Sequence, residues 1–376
     1  MTAVLTRPDA PLAWLRVRLR VEADAAGRVA LGRVLAEALP TAPAGGTPLH
    51  RRLALLGAVA SVEADGHGVV AHVAAEPGRF AETVEAVTSA LHAPLPAGLL
   101  AEARAASAAA WRWERDDSEA TADLLADLAL HTPPSQWSGL HDALLAAMAD
   151  RTPSLSRPAS AGTLSAAYVG PHHGAALLHG LSSRGAEPAP DTSPVSRGHW
   201  DLDVVSDGSA LIRLGWRAPR RDHEDFAALA VAARVVGGHH HAWLTREFRT
   251  ERRWAYSPWA LLRSGPGHGL WQVSLRVPHG HVEEAAARVR ALVRSCRPTE
   301  AEHHAAVAHA RTEILRLWSA GETAVSLLGY WQDLGLDPHE ERTRWLTALS
   351  ATTRDTVADA ASRWLDTEPH ITAVLG

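Results

Sequence analysis

The chain has 376 residues, about twice the length of one ordinary domain, which points to two domains. Hydrophobic residues make up 46% and charged residues 21%, the balance of a globular protein, and a net charge of -5 leaves no basic footprint for nucleic acid. All 37 basic residues are arginine; without lysine, P-loop nucleotide hydrolysis and Schiff-base chemistry are excluded. The single cysteine, Cys296, excludes a disulfide framework and a cysteine-rich zinc module. No apolar run reaches the roughly 18 residues of a membrane span, and the first residues lack the apolar core of a signal peptide. A cytoplasmic protein with no membrane or nucleic-acid partner is expected.

In chain order, Leu15, Val17, Leu19 and Val21 alternate with Arg16, Arg18, Arg20 and Glu22, the period of a half-buried strand. Gly27 to Leu39 has helical spacing and stops at Pro40. Val59 to Ala64 and Gly68 to Ala74 read as a strand pair turning at Asp65-Gly66. Alanine-rich helices follow at Arg79 to His92, Gly98 to Trp113 and Ser118 to Leu130.

The order then returns. Ile212, Leu214 and Trp216 form a strand, and His223 to Val236 a helix ending at Gly237-Gly238. Trp271, Val273, Leu275 and Val277 form another strand, with Gly265 to Gly269 as a hairpin loop before it. Helices at Val282 to Ser295, Thr299 to Ala320 and Glu322 to Leu334 complete the pattern. Local matches in common order support a duplication: Gly32–Leu35 with Ala233–Val236, Glu119–Leu125 with Glu322–Leu328, and Tyr168–Pro171 with its apolar sequel against Trp364–Leu365 and Ile371–Leu375. Ser182 to Gly198, rich in Pro, Ser and Gly, reads as a linker between domains 1–181 and 199–376. Each half is expected to be an α+β domain, a sheet with helices on one face.

The second half resembles the M16 family of zinc peptidases, which includes insulinase, pitrilysin and mitochondrial processing peptidase. The resemblance starts at the helix Asp225 to Val236 with its Gly237-Gly238 end, and runs through Leu244 to Phe248-Arg249-Thr250-Glu251-Arg252-Arg253-Trp254-Ala255-Tyr256-Ser257. Family members there read leucine, arginine, two or three charged residues, glycine, leucine, alanine, tyrosine, serine. In the first half, Leu56 to Ser61, with Gly57, Ala58 and Val59, stands where relatives have a glycine-glycine edge strand. The resemblance implies two similar α/β-roll domains, the LuxS/MPP-like metallohydrolase fold, forming half of a clamshell. It also implies that Gly57, Ala58 and Val59 bind substrate.

Active members carry an HxxEH helix early in the first domain and a distal glutamate as third ligand. Two histidines at i and i+4 share a helix face, and the glutamate activates the metal-bound water. Laid on this chain, the motif puts Arg33 and Glu37 at the histidine positions and Ala36 at the base. Arginine cannot ligate zinc and alanine cannot move a proton. The distal window, Ala109 to Glu114, offers Glu114 alone. The resemblance therefore implies no metal and no cofactor in this chain.

The resemblance implies that the rest of the family's chemistry is retained. In the resemblance, an arginine and a tyrosine seven residues apart grip the substrate backbone and stabilise charge on the scissile carbonyl; Arg249 and Tyr256 match them in identity and spacing. A guanidinium and a phenol are suitable donors to an oxyanion. The implied function is a non-catalytic M16 subunit, inactive alone, that forms a heterodimeric metallopeptidase with a zinc-bearing HxxEH partner. Leader-peptide removal from a ribosomal peptide natural product is the substrate class suggested by such pairs.

Two alternatives stand beside this: a structural M16-like scaffold with no peptidase role, and an autonomous hydrolase with metal at His239-His240-His241. Those three histidines, just past the Gly237-Gly238 helix end, are expected to line the substrate chamber. Glu302, His303, His304 and His309 read as a solvated helix face, since six residues separate His303 from His309. Most of the 14 tryptophans are expected in the core.

Overall fold

A computed structural model describes residues 2–23, 25–114, 117, 119, 121–123, 144–148, 157–171, 176–178, 181, 198–202, 208–265 and 267–375. The chain divides into two compact units, and each is discontinuous. The first comprises Met1–Arg112, Ser138–Glu187 and Arg316–Glu341; the second comprises Trp113–Trp137, Pro188–Leu315 and Arg342–Gly376. Each sequence half thus builds most of one unit and gives a segment to the other.

The first unit holds strands β1 (Thr2–Thr6) and β2 (Ala13–Val21), then a small hairpin, β3 (Pro43–Ala44) and β4 (Thr47–Pro48), and then β5 (Val59–Asp65), β6 (Gly68–Ala75) and β7 (Gly162–Gly170). Its main sheet has the order β1-β7-β2-β6-β5; β1 runs parallel to β7 and the other pairs are antiparallel. The turn from β5 to β6 forms because the Asp65 carboxylate accepts from the amides of His67 and Gly68, at 2.8 and 3.1 Å. Helices α1 (Ala25–Ala38), α2 (Leu49–Leu55), α3 (Phe80–His92) and α4 (Ala97–Glu114) follow in the first half. Leu15, Val17, Leu19 and Val21 enter one core with Leu31 and Leu35 of α1 and Val84, Val87 and Leu91 of α3. The alternation read from β2 produces this face.

The second unit repeats the plan. Its strands are β8 (Gly198–Leu202), β9 (Ser209–Ala218), β10 (Trp259–Ser264), β11 (Gly269–Pro278) and β12 (Ile371–Leu375). They lie in the order β10-β11-β9-β12-β8, the first sheet's order read from its other edge, again with one parallel pair, β12 with β8. Helices α5 (Phe226–Gly237), α6 (Val282–Arg294), α7 (Glu300–Ser319), α8 (Gly321–Asp333), α9 (Pro338–Ala351) and α10 (Arg354–Leu365) complete the chain. Trp216 and Trp271 are buried edge to face at 5.5 Å, and the Trp271 indole donates to the Leu229 carbonyl of α5 at 3.1 Å.

The helices do not keep to one face of each sheet, as the sequence suggested. In the first unit α8, from the far half of the chain, covers the arginine face of β2. Asp333, its last residue, accepts from Arg16 at 2.7 Å, from Arg18 at 3.2 Å and from Ser165 of β7 at 3.0 Å. Arg18 also pairs with Asp65. Arg16 is therefore only 5% exposed, although its alternation with leucine and valine reads as solvent-facing. In the second unit Arg213 of β9 is 1% exposed, held by Glu119 at 2.8 Å and Asp123 at 2.6 Å and lying over the Trp259 ring. In the matched segments, Glu119 and Asp123 hold Arg213, whereas the carboxylate on Arg16 is Asp333, beyond Glu322–Leu328; 120, 124 and 125 lie outside the described residues.

Two further readings change. Tyr168–Gly170 belong to β7, whose counterpart is β12, whereas Trp364 and Leu365 end α10; the repeat ending is aligned one element early. Gly198, expected in the linker, opens β8, and 182–197 lie outside the described residues. Of the helix expected at Ser118 to Leu130, only 119 and 121–123 are described.

Candidate functional site

The segment that carries the family resemblance begins as a π-helical turn, Thr245–Glu251. Such turns add a residue to a helix and cluster at functional sites. Phe248 is fully buried and its carbonyl accepts from the amides of Trp254 at 2.8 Å and Ala255 at 3.1 Å, which folds the chain back on itself. Arg253 supplies the reversal with φ of 60°, the left-handed region that favours glycine. Glu247 fixes the turn from outside, accepting from Arg252 at 2.7 Å and from Arg288 of α6 at 3.2 Å. Arg252 also covers the Trp254 ring, which stacks on His281 at 4.1 Å.

This reversal brings Arg249 and Tyr256 together. The guanidinium carbon lies 4.6 Å from the centre of the phenol ring, a cation–π contact. Both side chains are exposed, Tyr256 at 78%. Among the described residues no carboxylate pairs with Arg249. Its donors stay available while stacking limits its orientations.

Both residues line a groove of about 620 Å³, together with Gly237 and Gly238 at the end of α5, His239, His240, His241, Thr245, Ser257, Pro258, and Ala305 and His309 of α7. Gly237 is required by packing, since an added Cβ would run into the Ala260 amide nitrogen of the edge strand. Thr245 donates to the His239 carbonyl at 3.3 Å, and His239 Nδ1 accepts from the His241 amide at 3.2 Å. The Trp243 indole donates to Glu302 at 2.8 Å, tying this segment to α7. Burial works against the Glu302 carboxylate, yet hydrogen bonds from the Thr299 amide, Trp243 and the Thr299 hydroxyl hold it below the usual carboxylate range. The face of α7 is not simply solvated: His303 is buried beside Thr352, and His309 meets His239 with ring centres 5.9 Å apart.

The remaining expected positions lie in the first unit. Arg33 and Ala36 are half-buried on α1 and Glu37 is exposed. The Arg33 guanidinium sits 4.9 Å from the ring centre of buried Trp111, which belongs to the distal window on α4. A cation over an aromatic ring thus joins α1 to the window on α4 that the sequence resemblance pairs with zinc ligands, and neither a guanidinium nor an indole can ligate a zinc ion. Gly57, with φ of 69°, ends the turn after α2, and Ala58 leads into Val59, the exposed first residue of the edge strand β5. Among the described residues no group of three or more His, Cys, Asp or Glu side chains is arranged to hold a metal, and no helix is long and apolar enough to cross a membrane.

Residues 174–308 match the family described as the peptidase M16 inactive domain. That stretch, about a third of the chain, is similar to the M16 inactive domain. Solved structures share the fold over the whole chain. A peptidase M16 inactive domain from Pseudomonas fluorescens is 16% identical with a TM-score of 0.76, the match covering 100% of this chain and 95% of that one. A protease from Helicobacter pylori is 14% identical with a TM-score of 0.79, covering 99% and 96%. The periplasmic protease PqqL from Escherichia coli is 14% identical with a TM-score of 0.66, covering 99% of this chain and 44% of that one. No curated protein matches the sequence.

Arg253 stands where the sequence resemblance expects glycine, and its φ of 60° lies in the region that glycine adopts freely. His309 was invisible to spacing rules, because its partner His239 comes from another element.

Proposed function

We propose that this chain is the metal-free subunit of a heterodimeric M16 peptidase. It grips the peptide backbone with Arg249 and Tyr256, and a second chain bearing HxxEH brings the zinc. The observation that carries this reading is the Arg249–Tyr256 pair itself: a guanidinium without a carboxylate partner among the described residues, held over an exposed phenol at the rim of a groove. Fixed donors of this kind stabilise a carbonyl oxygen as negative charge develops on it. Of Arg33, Ala36 and Glu37 only Glu37 could ligate a metal, and one carboxylate does not replace the missing half of the chemistry. The 44% coverage of PqqL supports the pairing, since this chain's whole length corresponds to less than half of that protease. A leader peptide of a ribosomal natural product, processed in the cytoplasm, is the substrate this reading favours.

The test is reconstitution of the full chain with an HxxEH chain from the same source, assayed on a quenched fluorogenic peptide. The separate chain is expected to be inactive and the mixture active. Arg249→Ala and Tyr256→Phe should each lower kcat of the pair by roughly 100-fold, the loss typical of one oxyanion donor. Full activity of both variants would refute the donor role. A complex that forms but cleaves nothing would mark the chain as a scaffold instead.

A further inference from the structure

The groove beside Arg249 and Tyr256 is lined by Arg249 and by four imidazoles, His239, His240, His241 and His309, and among the described residues by no carboxylate. These groups come from three elements: the loop after α5, the π-helical turn and α7. The charges that act on His239 are all basic: His309 from α7, His241 and His240 on its own loop, and Arg234 from α5. The nearby acids are already engaged, Glu313 by Arg234 and Glu302 by Trp243, Thr299 and Arg246. Burial first, and then these cations, hold the His239 ring below the ordinary histidine range; an anion placed there would favour a proton on Nδ1 in place of the bond that nitrogen accepts from the His241 amide. The His239 and His309 rings stand 5.9 Å apart, too far to bond each other and close enough for one carboxylate to accept from both.

We propose that this groove selects an acidic peptide, with a Glu or Asp side chain of the substrate seated between His239 and His309 while Arg249 and Tyr256 hold its backbone. The proposal rests on the peptide-gripping reading of that pair and adds the chemical class of substrate. A metal is the less suitable occupant, because no third ligand is set beside His239 and His309 among the described residues. A carboxylate pairs with protonated imidazoles, so acidic substrates should bind more tightly as pH falls through the histidine range, while neutral ones should not.

The experiment uses the full chain and two fluorescein-labelled ten-residue peptides, identical except that three central glutamates in one are glutamines in the other. Fluorescence anisotropy in EDTA gives Kd at about pH 5.5 and about pH 8. The glutamate peptide should bind about tenfold tighter at the lower pH, from two ion pairs of roughly threefold each, and the glutamine peptide should change less than about twofold. His239→Gln with His309→Gln should bring the two peptides to equal affinity at both pH values. His309→Gln alone, at an exposed position on α7, should remove about threefold of the preference. Arg249→Ala should weaken both peptides. If the glutamine peptide gains as much on acidification, or the double variant keeps the preference, the acidic selectivity is wrong, while loss of both peptides in Arg249→Ala would leave the backbone grip standing. If neither peptide binds at any pH, both readings fall.

Discussion

Replacing Asp333 by Ala tests whether the far half of the chain secures the first sheet. Asp333 accepts from Arg16, Arg18 and Ser165, and α8 carries it there. Arg18 keeps Asp65 after the change, so the loss falls mainly on Arg16, which is 5% exposed. Burial already lowers the Arg16 pKa, with Asp333 opposing it, so the ion pair is what keeps a charge tolerable there. Removing one partner of a buried pair costs about 3–5 kcal/mol, and the surviving Arg18–Asp65 pair places this case near about 3 kcal/mol. For a unit of this size that corresponds to a Tm lower by roughly 6–12 °C. Urea unfolding followed by tryptophan fluorescence is a suitable assay, since Trp331 of α8 stacks on Trp318 within the same unit. Arg16→Met combined with Asp333→Leu should recover at least half of the loss, because no unpaired cation then remains. A loss under about 1 kcal/mol in the single variant, or no recovery in the double, would refute the reasoning.

Other outcomes follow from single positions. Arg253→Gly relieves a left-handed residue and should stabilise the second unit by about 0.5–1 kcal/mol in the same assay; unchanged or lower stability would deny strain at that turn. Gly237→Ala meets the Ala260 backbone, which cannot rotate away, and should cost about 2 kcal/mol; a neutral result would place the glycine's role elsewhere. Asp65 is held below the usual carboxylate range: burial opposes this, but Arg18, His67 and the His67 amide outweigh it. Its contribution is therefore present above the unfolded carboxylate pKa of about 3.9 and lost as pH falls through the lower folded value. Denaturation midpoints should drop on acidification below about pH 4 in the parent and less steeply in Asp65→Asn. Equal slopes would remove Asp65 from the acid sensitivity.

Much of the architecture is written in local pattern. The alternation in β2, β9 and β11 and the turn at Asp65 each depend on neighbours within a few residues, and the structure has them there. What pattern could not give is the cover of the arginine faces. Period two says that Arg16 points away from Leu15, but not that a carboxylate hundreds of residues later closes over it. The same limit applies at the groove. Arg249 and Tyr256 are legible because one short segment holds both, whereas His309 and His303 were read along their own helix and so assigned to solvent. Arg33 had no visible partner, since Trp111 lies on a different helix.

The traded segments constrain how this molecule can be divided. A fragment made from residues 199–376 alone would lack Glu119 and Asp123, leaving Arg213 without its counter-charges, and residues 1–181 alone would leave Arg16 without Asp333. A single repeat can neutralise its own sheet only by borrowing from another, so the smallest self-sufficient version of this architecture is a pair.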